Sequence, residues 1–479
     1  MKKLLSLLAF AGMLFVVSCS DDDEASLPTL TAPAEASTGL GETASATFSF
    51  VADAGFASSS VSGTGVDASV TTDGTAGASS GDITVEYTVT ALGSNSVVLS
   101  ITDGDGNSVE ATLVVTSNSF TTQVVEGNIT ADATWSATTV YELSGTVAVE
   151  AGVTLTIEAG TIIKGQPGTS ANAAALLVLQ GATLNAMGTA SAPIIFTASS
   201  DEIAPGEIVG SIDATVSGLW GGVIILGNAP ISAAESPAPI EGIPTSVGAV
   251  YGGSDAADNS GTITYISIRH GGSEIAPGNE INGLTLGGVG SATTINNVEV
   301  VANKDDGIEW FGGTVDVSNV VVWNAGDDGL DTDQDWIGTC SDFIVVTPTG
   351  GSAFELDGPE GTTSTGQVHT FNNGTVFAGE LGEELVDLDG STNASMTNIY
   401  FYGISTVIVV ESFGGDGVGE FSGWEYTLPS SIAVADVFVD VPSSILTEVA
   451  ENQNTVGPDA TNFGWTFAGA SGALASIGL

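Results

Sequence analysis

The sequence predicts an all-β protein in which a right-handed parallel β-helix follows a small Ig-like β-sandwich. Glycine accounts for 64 of the 479 residues, and valine, isoleucine and threonine alternate with other residues over short segments. Beyond residue 120, similar short segments recur every 22 to 32 residues. The predicted parts are a signal peptide over residues 1–18, an acidic tether over 19–26, the β-sandwich over 27–119, and the β-helix with a C-terminal cap over 120–479.

The first residues have the composition of an export signal. Two lysines precede an apolar run over residues 4–17, and Val16-Val17-Ser18-Cys19 reads as a lipobox. We therefore expect Cys19 to become the N-terminus and to carry a lipid that anchors the protein to the outer membrane. The run Ser20-Asp21-Asp22-Asp23-Glu24 resembles the acidic signal that sends some lipoproteins of Gram-negative bacteria to the cell surface. A simple solvated tether is the alternative interpretation.

The chain is strongly acidic. It has 57 Asp and Glu residues against five Lys and Arg residues, of which only Lys164, Arg269 and Lys304 lie beyond the predicted signal peptide. Such a surface repels nucleic acid and favours cations, basic partners or neutral ligands. With Cys19 lipidated, Cys340 has no partner within the chain, which excludes a disulfide framework and a cysteine-based zinc site.

Residues 27–119 have the pattern of a β-sandwich. Strand-like alternation appears over residues 46–51, 83–89, 96–101 and 111–115, with turn-forming residues between these segments. The turn Asp103-Gly-Asp-Gly-Asn107 resembles those of bacterial Ig-like and cadherin-like domains. We expect this domain to serve as a spacer.

The second part of the chain repeats a short strand. Equivalent four-residue segments begin at Ile308, Leu330, Phe354 and Val386, at intervals of 22, 24 and 32 residues. Other strand-like segments lie between them, and each coil can bury its inner face only by stacking on its neighbours. A β-propeller is the alternative, but each of its blades needs about 40 residues or more. The spacing therefore favours a parallel β-helix.

Several motifs of this region are long enough to be specific. They are Gly218-Leu-Trp-Gly-Gly222, Tyr265-Ile-Ser-Ile-Arg-His-Gly-Gly272 and Lys304-Asp-Asp-Gly-Ile-Glu-Trp-Phe-Gly-Gly313. With them the chain resembles an uncharacterised family of bacterial right-handed parallel β-helix surface lipoproteins. The resemblance implies the fold and export from the cell, and it implies no activity.

Acidic residues recur at one strand position. If the first residue of each four-residue strand points inward, the second points outward. The outward residues are Glu309, Asp331, Glu355 and Asp387, and a second column two positions further on contains Asp333, Asp357 and Asp389. Phe311, in the same outward register, is expected to be an exposed ligand contact. All of these residues are candidates to face a ligand.

In these acidic columns, negatively charged side chains lie close together and repel each other. Stacked strands lie about 4.8 Å apart, and two like charges at 4 Å repel by about 1 kcal/mol in water and about 4 kcal/mol at an effective dielectric constant of 20. Bound Ca²⁺, raised carboxyl pKa values or a cationic partner would relieve the repulsion. The candidate calcium ligands are Asp305, Asp306, Asp327, Asp328 and Asp335. A solubilising acidic face with Asp-Gly turns is the alternative interpretation.

The sequence leaves three functions open. The favoured one is a lipid-anchored, surface-exposed binding or adhesion protein for a polysaccharide or another surface protein, with calcium as a bound ion. The second is a β-helix glycoside hydrolase with paired carboxylates. Gly326-Asp-Asp lacks the following Gly-His-Gly and Arg-x-Lys of polygalacturonase-type enzymes, so no catalytic residue is assigned. The third is a structural protein of the envelope or matrix.

Overall fold

A computed structural model describes residues 27–117, 120–241, 243, 247–274, 280–346, 351–359, 366–379, 383–413 and 419–479. The predicted signal peptide, Cys19 and the acidic tether lie outside the described residues. The chain divides into two compact units, one up to Ser119 and one from Phe120. Within the described part of the chain, no helix is long and apolar enough to cross a membrane.

The N-terminal unit is a β-sandwich. Its strands are β1 (Thr29–Thr31), β2 (Ala36–Ser37), β3 (Thr43–Val51), β4 (Phe56–Thr64), β5 (Val66–Thr72), β6 (Ser80–Val89), β7 (Gly93–Asp103) and β8 (Ser108–Ser117). They form two four-stranded sheets with the orders β1-β3-β6-β5 and β2-β8-β7-β4. Apart from the two-residue strand β2, this is the four-and-three division of strands found in Ig constant-type domains. Phe48, Val85 and Leu99 lie in the apolar core between the sheets.

The second unit consists almost entirely of parallel strands. Its elements are β9 (Thr121–Glu126), β10 (Ala133–Trp135), β11 (Thr139–Ser144), β12 (Thr146–Val149), β13 (Thr154–Ile157), β14 (Ile162–Gly165), β15 (Ala175–Val178), β16 (Thr183–Met187), β17 (Ile194–Ala198), β18 (Val223–Leu226), β19 (Ala238–Pro239), β20 (Val250–Tyr251), β21 (Gly261–Arg269), β22 (Leu284–Gly287), β23 (Thr294–Val301), β24 (Ile308–Phe311), β25 (Val317–Trp323), β26 (Leu330–Asp333), β27 (Thr339–Val346), β28 (Phe354–Leu356), β29 (His369–Phe377), β30 (Asp387–Leu388), β31 (Ala394–Tyr402), β32 (Phe421–Ser422), β33 (Trp424–Tyr426), α1 (Val434–Val437), β34 (Leu446–Glu448), α2 (Phe467–Ala470) and α3 (Ala473–Ser476). Short 3₁₀ helices span Ser170–Asn172 and Ala460–Phe463.

Two parallel sheets wind around a common core. One has eight strands in the order β12-β15-β18-β22-β24-β26-β28-β30, and the other has sixteen strands. Ile308 pairs with Leu330, and Leu330 with Phe354, in the predicted register. The predicted fold class, a β-sandwich followed by a parallel β-helix, is confirmed.

The long strands of the sixteen-stranded sheet bend at one position. The residue at the bend has a φ angle in the left-handed region, between 51° and 60°. These residues are Tyr265 of β21, Asn297 of β23, Asn319 of β25, Asp342 of β27, Asn373 of β29 and Asn398 of β31. Asn and Asp tolerate this conformation better than other non-glycine residues. The bend divides the sheet into two faces, so each coil of the β-helix has three sides.

The interior holds the side chains that were predicted to point inward. Ile308, Leu330 and Phe354 are fully buried in one continuous core. Trp310 lies there too, stacked on Trp336 with 4.6 Å between the ring centroids. The period-two pattern of these short strands thus identifies their core-facing residues correctly.

The last residues of the chain pack against the side of the β-helix. Phe463, Ala468 and Leu474 cover outward apolar side chains of β25 and β27. The backbone N–H groups of Phe467 and Ala468 donate to the two carboxylate oxygens of Glu299 on β23, each at 2.9 Å. Glu299 thereby fixes the start of α2 to a strand far away in the sequence.

Glu299 also compensates a buried cation. Its Oε2 lies 3.8 Å from Nη2 of Arg269, and neither side chain is exposed. Arg269 in addition donates from Nη1 to the carbonyl oxygen of Ile208 at 2.6 Å and from Nε to the hydroxyl of Ser267 at 2.7 Å. The pair therefore joins two strands, a surface loop and the C-terminal segment.

We expect the substitution Glu299→Gln to destabilise the protein by about 3 kcal/mol or more, because it removes the carboxylate that is paired with the buried charge of Arg269. Thermal unfolding measures the loss, and limited proteolysis should cleave the chain earlier near its C-terminus. Glu126→Gln, at an exposed position of β9, is the matched control and should behave like the parent protein. An unchanged melting temperature for Glu299→Gln would contradict this account of the C-terminal segment.

Candidate functional site

The outer face of the eight-stranded sheet changes character along the β-helix. On its first strands the outward side chains are apolar, such as Leu177 of β15 and Ile224 of β18. They form an apolar cluster with Ala238 of β19 and Tyr251 of β20. The connection between β18 and β21 therefore covers this half of the face, and the half that follows carries acidic side chains.

Acidic residues occupy one position on four successive strands of this second half. Glu309 of β24 pairs with Asp331 of β26, Asp331 with Glu355 of β28, and Glu355 with Asp387 of β30. The register that was predicted for this column is therefore present. The other column, with Asp333, Asp357 and Asp389, follows two positions later in the chain.

Two Asp-Asp-Gly turns lie beside each other where these strands begin. Asp306 Oδ1 accepts a hydrogen bond of 3.0 Å from the N–H of Asp328, and Asp328 Oδ1 accepts one of 2.6 Å from the N–H of Ser352. A Cβ atom on Gly307 would lie 2.5 Å from the carbonyl oxygen of Gly329 on the next coil. The Asp-Gly sequence is thus required by a close approach of backbones as well as by the hydrogen bonds of the aspartate.

Carboxylates from the turns and the strands line a pocket of about 170 Å³. Its lining residues are Ile224, Glu241, Glu280, Ile281, Asn282, Thr285, Asp305, Asp306, Glu309, Phe311, Asp327, Asp328, Asp331 and Glu355. No lysine or arginine belongs to this lining within the described residues. Lys304 lies outside it, where its Nζ donates to Glu280 Oε1 at 2.6 Å.

Two sets of carboxylates in this pocket are close enough to share an ion. One consists of Asp305, Asp306 and Asp327, and the other of Asp306, Glu309 and Asp331. Within each set, one oxygen from each residue lies within 4.8 Å of the others. All donors are hard oxygen atoms, which fit Ca²⁺ rather than a transition metal.

Burial raises the pKa values of the pocket carboxyl groups, because desolvation disfavours the charged form. It raises the pKa of Asp305 to about 7 and the pKa of Glu355 to about 9, with repulsion from neighbouring carboxylates acting in the same direction. The pKa values of Asp306, Glu309 and Asp331 are raised well above their usual range for the same two reasons. In the absence of a cation, the pocket therefore holds protons at neutral pH.

Two expectations about exposure are wrong. Phe311 has the predicted outward register, but it is only 3% exposed and packs against Tyr251, with 5.8 Å between the ring centroids. It therefore cannot be an exposed contact. Glu309 and Asp331 point away from the core as predicted, yet each is only 8% exposed, since the walls of the pocket shield them from solvent.

Asp335 lies apart from the other predicted calcium ligands, so its assignment to the same site is wrong. Asp327 and Asp328 precede β26, whereas Asp335 follows it, at the opposite end of the strand. Asp335 belongs to neither carboxylate set and does not line the pocket. Among the ligand-facing candidates, Asp333, Asp357, Asp387 and Asp389 also lie outside the described lining.

Three residues of the pocket lining, Asn282, Glu280 and Thr285, are absent from the predicted set. Asn282 precedes β22 by the same number of residues as Asp306 precedes β24, and Thr285 pairs with Glu309. The Nδ2 of Asn282 donates to Glu309 Oε2. An alignment of Asn282-Gly-Leu-Thr with Asp306-Gly-Ile-Glu and Asp328-Gly-Leu-Asp could have found this coil, because the Asx-Gly-apolar-polar pattern is shared.

The raised pKa values predict that the metal-free protein loses stability as the pH rises. The unfolded chain has carboxyl pKa values near 4, so the stabilising contribution of Glu355 is present below about pH 4 and is lost as the pH rises through about 9. Between about pH 7 and about pH 9.5, in chelator, we expect the melting temperature to fall by roughly 5 °C. Glu355→Gln should reduce this fall, and a melting temperature independent of pH would contradict the assignment.

The β-helix unit has the sequence features of a described family. The family described as "Pectate-lyase like beta helix domain" matches residues 127–474, which is most of the chain. Comparison with curated proteins and with solved structures gave no match. The chain therefore belongs to the pectate-lyase-like β-helix domain family.

Proposed function

We propose that this protein is a binding protein of the outer cell surface, held by a lipid on Cys19, whose acidic pocket binds calcium and presents it to a glycan. The observation that carries the proposal is a pocket lined by nine carboxyl groups, with no lysine or arginine in its described lining. Calcium takes oxygen ligands from carboxylates, amide carbonyl groups and water. Sugar hydroxyl groups supply the same kind of ligand.

The size of the pocket favours binding over catalysis. Its volume is about 170 Å³, whereas pockets for drug-sized ligands measure about 300–1,000 Å³ and one water molecule takes about 30 Å³. Ions and a few waters fit, so a saccharide would lie across the mouth.

Native electrophoresis of the chain from Asp21 onward, through gels containing neutral polysaccharides, tests the function. We expect retardation in calcium and free migration in chelator, because the ion links protein and glycan. The double variant Asp306→Asn with Asp328→Asn should migrate freely in both. Asp389→Asn is the matched control, since Asp389 is an exposed acid on the same face but outside the described lining, and it should be retarded like the parent.

The other outcomes of this experiment discriminate between functions. Clearing of the polysaccharide around the band would identify a hydrolase and overturn the proposal. Free migration of the parent protein in every gel would also overturn the glycan part, and would leave a structural or protein-binding role as the better explanation.

The lipid anchor has its own test. Cys19→Ser should move the protein from the membrane fraction to the soluble fraction, because acyl chains contribute about 0.8 kcal/mol for each buried methylene group. Metabolic labelling with a radioactive fatty acid should mark the parent protein and not the variant. Cys340→Ser is the control, since Cys340 is buried within the β-helix and should remain without effect on labelling. Label retained by Cys19→Ser would contradict the anchor.

A further inference from the structure

The two carboxylate sets of the pocket differ in depth and share one residue. Asp306, Glu309 and Asp331 form the inner set and are all buried. Asp305, Asp306 and Asp327 form the outer set, in which Asp305 is half-buried and Asp327 is exposed. Two oxygens that bind one Ca²⁺ at about 2.4 Å can be at most about 4.8 Å apart. Each set, with its oxygens within 4.8 Å of one another, has the dimensions of a ligand shell around one ion.

A buried amide provides independent evidence for a ligand at the inner set. Asn282 lines the pocket and is only 6% exposed. Its Nδ2 donates to Glu309, but its Oδ1 is buried without a hydrogen-bond partner. Buried polar atoms nearly always have a partner. An amide oxygen is a ligand that Ca²⁺ accepts, so an ion between Asn282 and the inner carboxylates would complete this group.

We propose that the pocket binds two Ca²⁺ ions that share Asp306, an inner ion held with Asn282, Glu309 and Asp331, and an outer ion held with Asp305 and Asp327. The proposal rests on the proposed function only in taking calcium as the ion, and it does not depend on the glycan.

Charge favours two ions over one. The two sets together contain five carboxylates, so a single Ca²⁺ would leave an excess charge of about −3, whereas two ions leave about −1. Several buried carboxylates converging on one point suit Ca²⁺, which accepts irregular shells of six to eight oxygens. Mg²⁺ requires near-octahedral geometry and retains its waters.

The two ions have different tasks. The inner ion is enclosed by buried side chains and links the turn before β22 to strands β24 and β26. It is therefore a structural ion that exchanges slowly. The outer ion lies at the mouth, where Asp327 is exposed, and its remaining coordination positions are open to water or to hydroxyl groups of a ligand. The outer ion is the one that a glycan meets.

Calorimetric titration of Ca²⁺ into the metal-stripped chain from Asp21 onward, with equilibrium dialysis for the stoichiometry, tests the proposal. We expect the parent protein to bind two ions. Asn282→Ala should weaken only one of them, by about tenfold or more, and Asp327→Asn should weaken only the other. Asp306→Asn should weaken both, and the control Asp389→Asn should weaken neither. Circular dichroism verifies that each variant is folded.

Binding of one ion or none by the parent protein would overturn the proposal. So would an Asp306→Asn variant that loses affinity for one ion only, and this comparison remains decisive if Asn282→Ala does not fold. Two bound ions without any retardation in polysaccharide gels would leave this proposal standing and overturn the glycan function. Retardation by a protein that binds a single ion would overturn the two-ion proposal and leave the glycan function standing.

Discussion

The in-register stacking of parallel strands is the constraint on which the rest of this structure depends. Every residue of a coil lies about 4.8 Å from its equivalent on the next coil. A type of side chain that recurs at one position of the repeat therefore forms a continuous row along the β-helix. Inside, this places Ile308, Leu330 and Phe354 in one apolar row. Outside, the same rule places Glu309 directly beside Asp331. The stacking that builds the core therefore also builds the acidic pocket.

Features that depend on neighbouring residues in the chain could be predicted from the sequence. The inward positions, the register of the acidic column and the contact between the two Asp-Asp-Gly turns all follow from alternation and repeat spacing. Exposure could not be predicted in the same way. Phe311 is buried because the connection that contains β20 crosses the face and places Tyr251 on it. The path of a long connection leaves no periodic signal in the sequence.

Two further features depend on contacts that no local pattern reveals. Glu299 resembles any outward acid of a β-strand, yet it binds the N-terminus of α2, which lies 168 residues later in the chain. Asn282 carries no charge and so escapes a search for acidic columns, although it occupies the position that Asp306 occupies one coil later. The repeat contained the signal for Asn282, whereas nothing in the repeat indicates a partner for Glu299.

The two buried groups of charge illustrate opposite solutions to desolvation. The carboxylate of Glu299 pairs with Arg269 and accepts hydrogen bonds from the hydroxyl of Ser267 and from two backbone N–H groups. Its charge is therefore compensated inside the protein. Around Asp306, the described neighbours are mostly other carboxylates, and desolvation together with their repulsion raises its pKa well above the usual range. Selection for stability alone would replace these buried carboxylates with apolar residues, since buried charges are rarely favourable. We therefore propose that this cluster, which keeps its carboxylates, an amide oxygen and a glycine-dependent turn together, is a set of ligands whose counter-charge comes from outside the chain.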